Sequence, residues 1–269
     1  MTVGTAAPAR SDRDFLVAAA AANLAGWHDL HVRALGFRTE WRDGLWLTPD
    51  AVSAIFFHAI AVRPGASAAT IGERVARYRW ASVSDPWADL PMPAQGYALD
   101  GDHPWMVREP GATTLDGITV PEGEPPAGLV IEQARDVDAL ADFERSAALG
   151  FGSQPGPPSS WHAPPLLADP RLQIWRGRVD GLTVAVSMGY ADAGALGIYG
   201  VTTLPAARRR GYGTALTRHT IEAGPALPAV LQPSTMAERM YARLGFQRFT
   251  SFRAWERNPG PAPTGDQER

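Results

Sequence analysis

The chain has 269 residues, 45% of them hydrophobic and 20% charged, a globular composition long enough for two cores or one large one. Its formal net charge of -3 argues against binding nucleic acid through bulk charge, and the absence of cysteine excludes disulfides, thiolate metal ligands and a cysteine nucleophile. The start, MTVGTAAPARSDRDF, has no apolar signal core, and the run Phe15 to Ala25 is short, alanine-rich and broken by Asn23. The expectation is a cytoplasmic protein without a membrane partner.

In chain order, Asp14 to Leu35 spaces Leu16, Ala20, Leu24 and Trp27 as a helix does, with Ser11 or Asp12 available as a cap. Phe37 to Trp41 and Leu45 to Leu47 suggest short strands, and Ala54 to Val62 (AIFFHAIAV) a buried one. Thr70 to Arg79 reads as a helix, Trp80 to Val83 as a strand and Pro86 to Pro93 as an irregular stretch, after which Gly96-Tyr97 opens another strand. EPGATTLDGITVPEGEPPAG, between Glu109 and Gly128, has the composition of a surface linker. After it come a strand (Leu129 to Glu132), a helix (Asp136 to Leu149), a Pro/Ser-rich loop (Gly150 to Pro165) and a strand (Leu172 to Trp175). Val179-Asp180-Gly181 turns a hairpin into Leu182 to Tyr190, and Asp192 to Gly194 turns into Leu196 to Thr203. Helix, strand, helix and strand complete the order. The expected division is residues 1–12 disordered, 13–110 an N-terminal domain, 111–127 a linker, 128–257 a second domain and 258–269 a disordered tail. A weak internal echo supports two similar halves. Gly96-Tyr97 followed by Trp105 to Arg108 matches Gly245-Phe246 followed by Ala254 to Arg257, at an offset of 149 residues.

The segment LGIYGVTTLPAARRRGYGTALTRHTIEA carries the chemistry. A strand passes through Pro205 into a glycine-containing turn and then a helix with Leu216 and Ile221 inward. Amides at a helix N-terminus lack intrahelical partners, and with the helix dipole they make an anion site suited to a diphosphate. Gly211 and Gly213 allow close backbone approach, while Arg208, Arg209 and Arg210 add mobile charge. A dinucleotide fingerprint fits poorly, since it would need glycine at Leu216.

This segment resembles the phosphate motif of the GNAT acyltransferase superfamily, Gln/Arg-x-x-Gly-x-Gly/Ala, which Arg208-x-x-Gly211-x-Gly213 matches in full. The resemblance implies an α/β (α+β) fold of two GNAT-like lobes, each a twisted, largely antiparallel sheet flanked by helices. It implies acetyl-CoA as co-substrate, without a metal, and a small amine or peptide as acceptor. Amides of Arg209, Arg210, Gly211, Tyr212, Gly213 and Thr214 would hold the pyrophosphate. Val201, Thr202 and Thr203 would end a strand splayed by a bulge, with the Val201 amide polarising the acyl carbonyl. Downstream, LQPSTMAERMYARLGFQRF is also similar to the family, placing Tyr241 four residues before Gly245-Phe246, where a phenol can protonate the departing thiolate. Ser234 would face pantetheine in place of the commoner asparagine. Where some relatives carry a glutamate base this chain has Gly197. Glu144, His162, Asp192 and Tyr199 are the local candidates, each first read as structural: a solvated helix face, a loop residue, a turn former and strand packing. His28 and His31 lack a third metal ligand.

No counterpart of the turn follows AIFFHAIAV, so the N-terminal half resembles the degenerate half of a tandem GNAT protein, supporting the active half and walling off the acceptor. The loop Gly150 to Pro165, with Phe151, Trp161 and His162, falls in the family's usual acceptor region, and its lack of acidic groups favours a modestly polar amine. Two alternatives stay open: a non-catalytic acyl-CoA sensor, and an acyltransferase using a longer acyl-CoA. Self-association as a homodimer is also left open.

Overall fold

The first helix, α1, spans Arg10–Ala34 and is buried around most of its circumference, from Leu16 and Val17 through Asn23 and Leu24 to His31 and Val32. A helix buried all round must lie between other elements rather than cap one face. The computed structural model describes residues 10–75, 80–112, 114–115, 118–119 and 125–257. Residues 1–9 and 258–269, much of the expected linker, and residues 76–79 lie outside them; residues 10–12, expected to be disordered, instead open α1, which starts ahead of the expected caps Ser11 and Asp12.

After α1 come β1 (Glu40–Arg42), β2 (Leu45–Leu47), β3 (Ala59–Ala61), α2 (Ala68–Val75), β4 (Ala81–Asp85) and β5 (Ala98–Arg108). A two-stranded hairpin follows, β6 (Thr114–Leu115) and β7 (Ile118–Thr119). The C-terminal order is β8 (Val130–Gln133), α3 (Val137–Gly150), β9 (Leu172–Val179), β10 (Leu182–Asp192), β11 (Ala195–Thr203), α4 (Tyr212–Ala223), β12 (Ala229–Leu231), α5 (Glu238–Arg243) and β13 (Gln247–Arg257). Two expectations need correction. The strand expected from Phe37 begins only at Glu40, and the run Ala54 to Val62 is a strand only over Ala59–Ala61. Residues 54 to 57 turn instead, burying Phe56 completely and leaving Ile55 exposed. Their apolarity serves packing outside the ladder.

All strands but the small hairpin form one open sheet of 11 strands, in the order β1-β2-β3-β4-β13-β5-β12-β11-β10-β9-β8. Among the described residues, only β3 with β4 and β11 with β12 run parallel. The last strand, β13, lies between β4 and β5, and β5 in turn pairs with β12, so strands from both ends of the chain interleave. The hairpins β1-β2, β9-β10 and β10-β11 turn on Asp43-Gly44, Asp180-Gly181 and Ala193-Gly194, all at positive φ, the pairing that matches strand twist.

Helices cover both faces of the C-terminal half. Val186, Met188 and Tyr190 of β10 face one apolar core with α1 residues and Phe143 of α3. The alternate residue Ala185 faces Tyr212 and Leu216 of α4, and the Ser187 hydroxyl meets that of Thr220 at 2.7 Å. The first helix of the chain thus packs on the sheet of its second half. Asn23 fastens it, its Nδ2 donating to the carbonyls of Tyr190, Asp192 and Ala195, each at 3.0 Å, while its Oδ1 accepts from the Tyr199 hydroxyl at 2.7 Å.

Candidate active site

The turn after β11 prepares a helix N-terminus for an anion. Pro205–Ala207 makes a single 3-10 turn; Arg209 then takes φ +64° and Gly211 φ +82°, and α4 starts at Tyr212. The first bond into the helix joins Ala215 N–H to Gly211 O at 3.0 Å, so the amides of Tyr212, Gly213 and Thr214 point out of the helix end. At Gly211 a side chain would be strained in the left-handed region. At Gly213 a Cβ would come within 3.2 Å of Thr203 Oγ1 and 3.7 Å of Met240 Sδ, filling the cradle. The residues therefore fit a diphosphate held by backbone amides. All three arginines are exposed. Arg208 is not mobile charge: its guanidinium donates to Thr203 O at 3.2 Å and Gly150 O at 2.9 Å, tying the end of β11 to the end of α3.

Immediately before the turn the sheet opens. β11 and β12 pair only at Leu196 with Ala229 and Gly197 with Val230, after which β11 runs on to Thr203 alone on that side. On its other side the register with β10 passes from Tyr199 opposite Met188 to Thr202 opposite Val186, so Gly200 and Val201 form a one-residue bulge, with Gly200 at φ +60°. The opening holds a cavity of about 180 Å3 lined by Ile198, Gly200, Val230, Leu231 and Gln232 from the splayed strands and by Leu24 and Trp105 from the N-terminal half. Val201 lies at the bulge, Thr202 is buried and Thr203 half-buried. Tyr241 is buried in one cluster with Ile198 and Leu231, with Val201 and Met240 packed against it. Burial pushes its phenol up to about 12. Ser234 is exposed, between β12 and α5. Of these parts, Gly200 of the bulge lines the cavity, while Tyr241 packs behind its walls Ile198 and Leu231.

Of the four base candidates, Tyr199 lines this cavity and the other three do not. Glu144 is buried, not a solvated helix face: its carboxylate accepts the amides of Ser159 at 2.7 Å, Trp161 at 2.5 Å and His162 at 3.4 Å, holding the loop after α3. His162 is buried against His31 and Phe143, and desolvation lowers its pKa to about 4. Asp192 accepts from Arg171 at 3.0 Å and from the Tyr190 hydroxyl at 2.9 Å. Tyr199 stacks on Trp27 and is held by Asn23, with burial pushing its pKa well up. Among the described residues no group of three His, Asp or Glu is placed to hold a metal ion, and no helix is long and apolar enough to cross a membrane. A larger cavity, about 810 Å3, lies between α3 and the start of β10 and is also lined by Arg210 of the turn; Arg176 bonds Asp142 within it at 3.0 Å, and Arg178 bonds Glu132 outside the lining at 3.0 Å.

Residues 180–255, spanning β10 to β13, match the family model described as FR47-like protein. A GCN5-related N-acetyltransferase from Kribbella flavida is 22% identical with a TM-score of 0.57, the match covering 88% of this chain and 96% of that one. The chain has the GNAT fold. A GNAT-family protein from Novosphingobium aromaticivorans is similar at 21% identity, TM-score 0.53, covering 86% of this chain and 94% of the other. A tandem GNAT protein from the clavulanic acid biosynthesis pathway is similar at 15% identity, TM-score 0.53, covering 81% and 79%. No curated protein matches the chain in sequence. Within this GNAT fold, sequence reasoning missed Leu24, Trp105 and Gln232 as cavity walls. Leu24 and Trp105 reach the opening from elements remote in sequence, and no local motif marks them.

Proposed function

We propose that the chain is an acyltransferase that acetylates a primary amine of a small molecule or peptide, using acetyl-CoA. The observation that carries this reading is the splay of β11 from β12, with a bulge shortly before Thr203, whose Oγ1 lies beside Gly213 at the start of α4. When bound, acetyl-CoA would supply an activated acyl carbonyl and a thiolate leaving group. The amides from Arg209 through Thr214 hold the pyrophosphate. The Val201 amide polarises the carbonyl, a donor fixed in place by the bulge and so without reorganisation cost. Tyr241 stays protonated across the neutral range and donates its proton to the leaving sulfur. Ser234 contributes at most an exposed hydroxyl toward the pantetheine arm. With Gly197 in place of a base, the acceptor arrives as the neutral amine and alignment supplies much of the rate; the proton that nitrogen loses as the C–S bond breaks passes to water, and water returns a proton to the Tyr241 oxygen. Residues 128–257 carry the chemistry, and 13–110, without a counterpart of the turn, support it and close the acceptor side.

Release of free CoA, measured against a panel of primary amines, tests the reading. Acceleration by at least one amine, with matching acetylated product, is the expected result. Tight acetyl-CoA binding with no acceleration by any amine would instead identify a sensor.

A further inference from the structure

Gln232, at the open end of β12, borders two cavities: the one in the splay, and a second of about 340 Å3 over β4, β5 and β13. Strand β5 runs beneath both. Trp105 lines the first and His103 the second, and residues two apart share a strand face at a spacing of about 7 Å. The second cavity combines rings and carboxylates. Phe57 and Phe252 meet edge to face at 6.0 Å, His103 stacks on Phe252 at 5.2 Å, and Trp80 completes the wall. Asp100 and Glu256 supply the acidic groups, Asp100 bonding His103 Nε2 at 3.3 Å. Burial, and then the charge of Asp100, push the Glu256 carboxyl up, with His103 the counteracting group; among the described residues no arginine lies in ion-pair reach of Glu256. A partly buried carboxylate beside a second one, ringed by aromatic faces, is a setting that a ligand cation would stabilise.

We propose that this second cavity seats the far end of the acceptor, and that the acceptor is a small amine with an aromatic or aliphatic body and a second, cationic group distal to the amine that is acetylated. The proposal rests on the acyl-transfer reading. The reacting amine enters the splay past Gln232, while the body lies on Phe57, Trp80 and Phe252 and the distal cation meets Glu256 and Asp100. The acidic groups absent from the loop Gly150 to Pro165 are thus supplied by β5 and β13.

The test uses the full chain, acetyl-CoA and arylalkyl primary amines of one length ending in an ammonium, a hydroxyl or a carboxylate. Turnover is read as CoA release, and amine binding by calorimetry with CoA present. The ammonium-ended amine is expected to exceed the hydroxyl-ended one by about fivefold in kcat/KM, the upper scale of one half-exposed ion pair. Glu256→Gln, and independently Asp100→Asn at an exposed position, should shrink that ratio to about threefold or less by the same reasoning. Turnover without a preference for distal charge, or a preference that both variants retain in full, would overturn the groove assignment alone. Cation-selective binding that Glu256→Gln abolishes, without turnover of any amine, would uphold the groove and overturn acetyl transfer. Neither binding nor turnover by any amine would overturn both.

Discussion

Asn23 is where a single replacement should separate the first helix from the second half of the chain. It is fully buried, and its amide serves carbonyls at 190, 192 and 195 while accepting from the Tyr199 hydroxyl. An amide has two N–H groups for three carbonyl contacts, so one proton is shared and the side chain makes about three full hydrogen bonds. At about 1 kcal/mol each, with a further 1 kcal/mol or more for leaving the Tyr199 hydroxyl buried without its partner, Asn23→Ala should cost about 4 kcal/mol. For a chain of this size that is roughly 10 °C in Tm, and a fall in the urea midpoint at constant slope should give the same energy. Tyr199→Phe added to Asn23→Ala should recover about 1 kcal/mol, because it removes the orphaned hydroxyl. Leu24 and Tyr199 line the splay cavity, so the acceptor KM should rise together with the instability. An Asn23→Ala loss below about 1 kcal/mol, or strict additivity with Tyr199→Phe, would refute the view that this amide couples the two segments.

Tyr241→Phe should lower kcat by about 10²-fold or more with acetyl-CoA affinity little changed, measured at saturating substrate; unchanged turnover would remove the acid role. Gly213→Val should weaken acetyl-CoA binding, read by calorimetry, far more than it lowers Tm, because its Cβ enters the cradle beside Thr203 Oγ1. Glu144→Gln keeps one acceptor oxygen but loses the charge that three amides share, so the loop from 150 to 163 should be cut faster by a dilute protease. His162 gives a pH prediction with a definite sign. Its folded pKa, about 4, lies below the ordinary 6.5, so the unfolded chain takes up the proton first. Stability is full above pH 6.5 and falls toward pH 4 by about 1.4 kcal/mol per pH unit for this group. His162→Leu should flatten the urea-midpoint profile over that window by this amount.

The parts legible in sequence were those specified by near neighbours. Gly211 and Gly213 mark the turn because positive φ and close approach are local demands, and Asp180-Gly181 marks its hairpin for the same reason. The bulge at Gly200 and Val201 was expected only through family resemblance, since it depends on which residues of β10 lie opposite. Glu144 was misread because helical periodicity shows which face a residue occupies but not what later covers it. Here the covering groups are backbone amides 15 to 18 residues downstream, which local pattern cannot announce. AIFFHAIAV was read as one strand because apolar runs of that length do not say which residues pair and which merely pack. The partners of Asn23 lie 167 to 176 residues away, so nothing near it reveals that the helix belongs to the other half.

That long-range placement bears on how the N-terminal half acts. A half that only buttressed the other could be joined to it at an outer surface. Instead β13 is inserted between β4 and β5, Trp105 of β5 walls the splay, and His103 and Asp100 of the same strand continue into the second cavity. Substitutions in β5 on this face therefore alter the shape of the acceptor path directly, whereas those on its opposite face, such as Met106, press on the Tyr241 cluster. Trp105→Ala should accordingly raise the acceptor KM with little effect on acetyl-CoA affinity, and Met106→Ala should lower kcat through the packing around the phenol. If both variants changed the same parameter, the two faces of β5 would not be separating acceptor recognition from proton donation, and the division of labour argued from the alternation of this strand would fail.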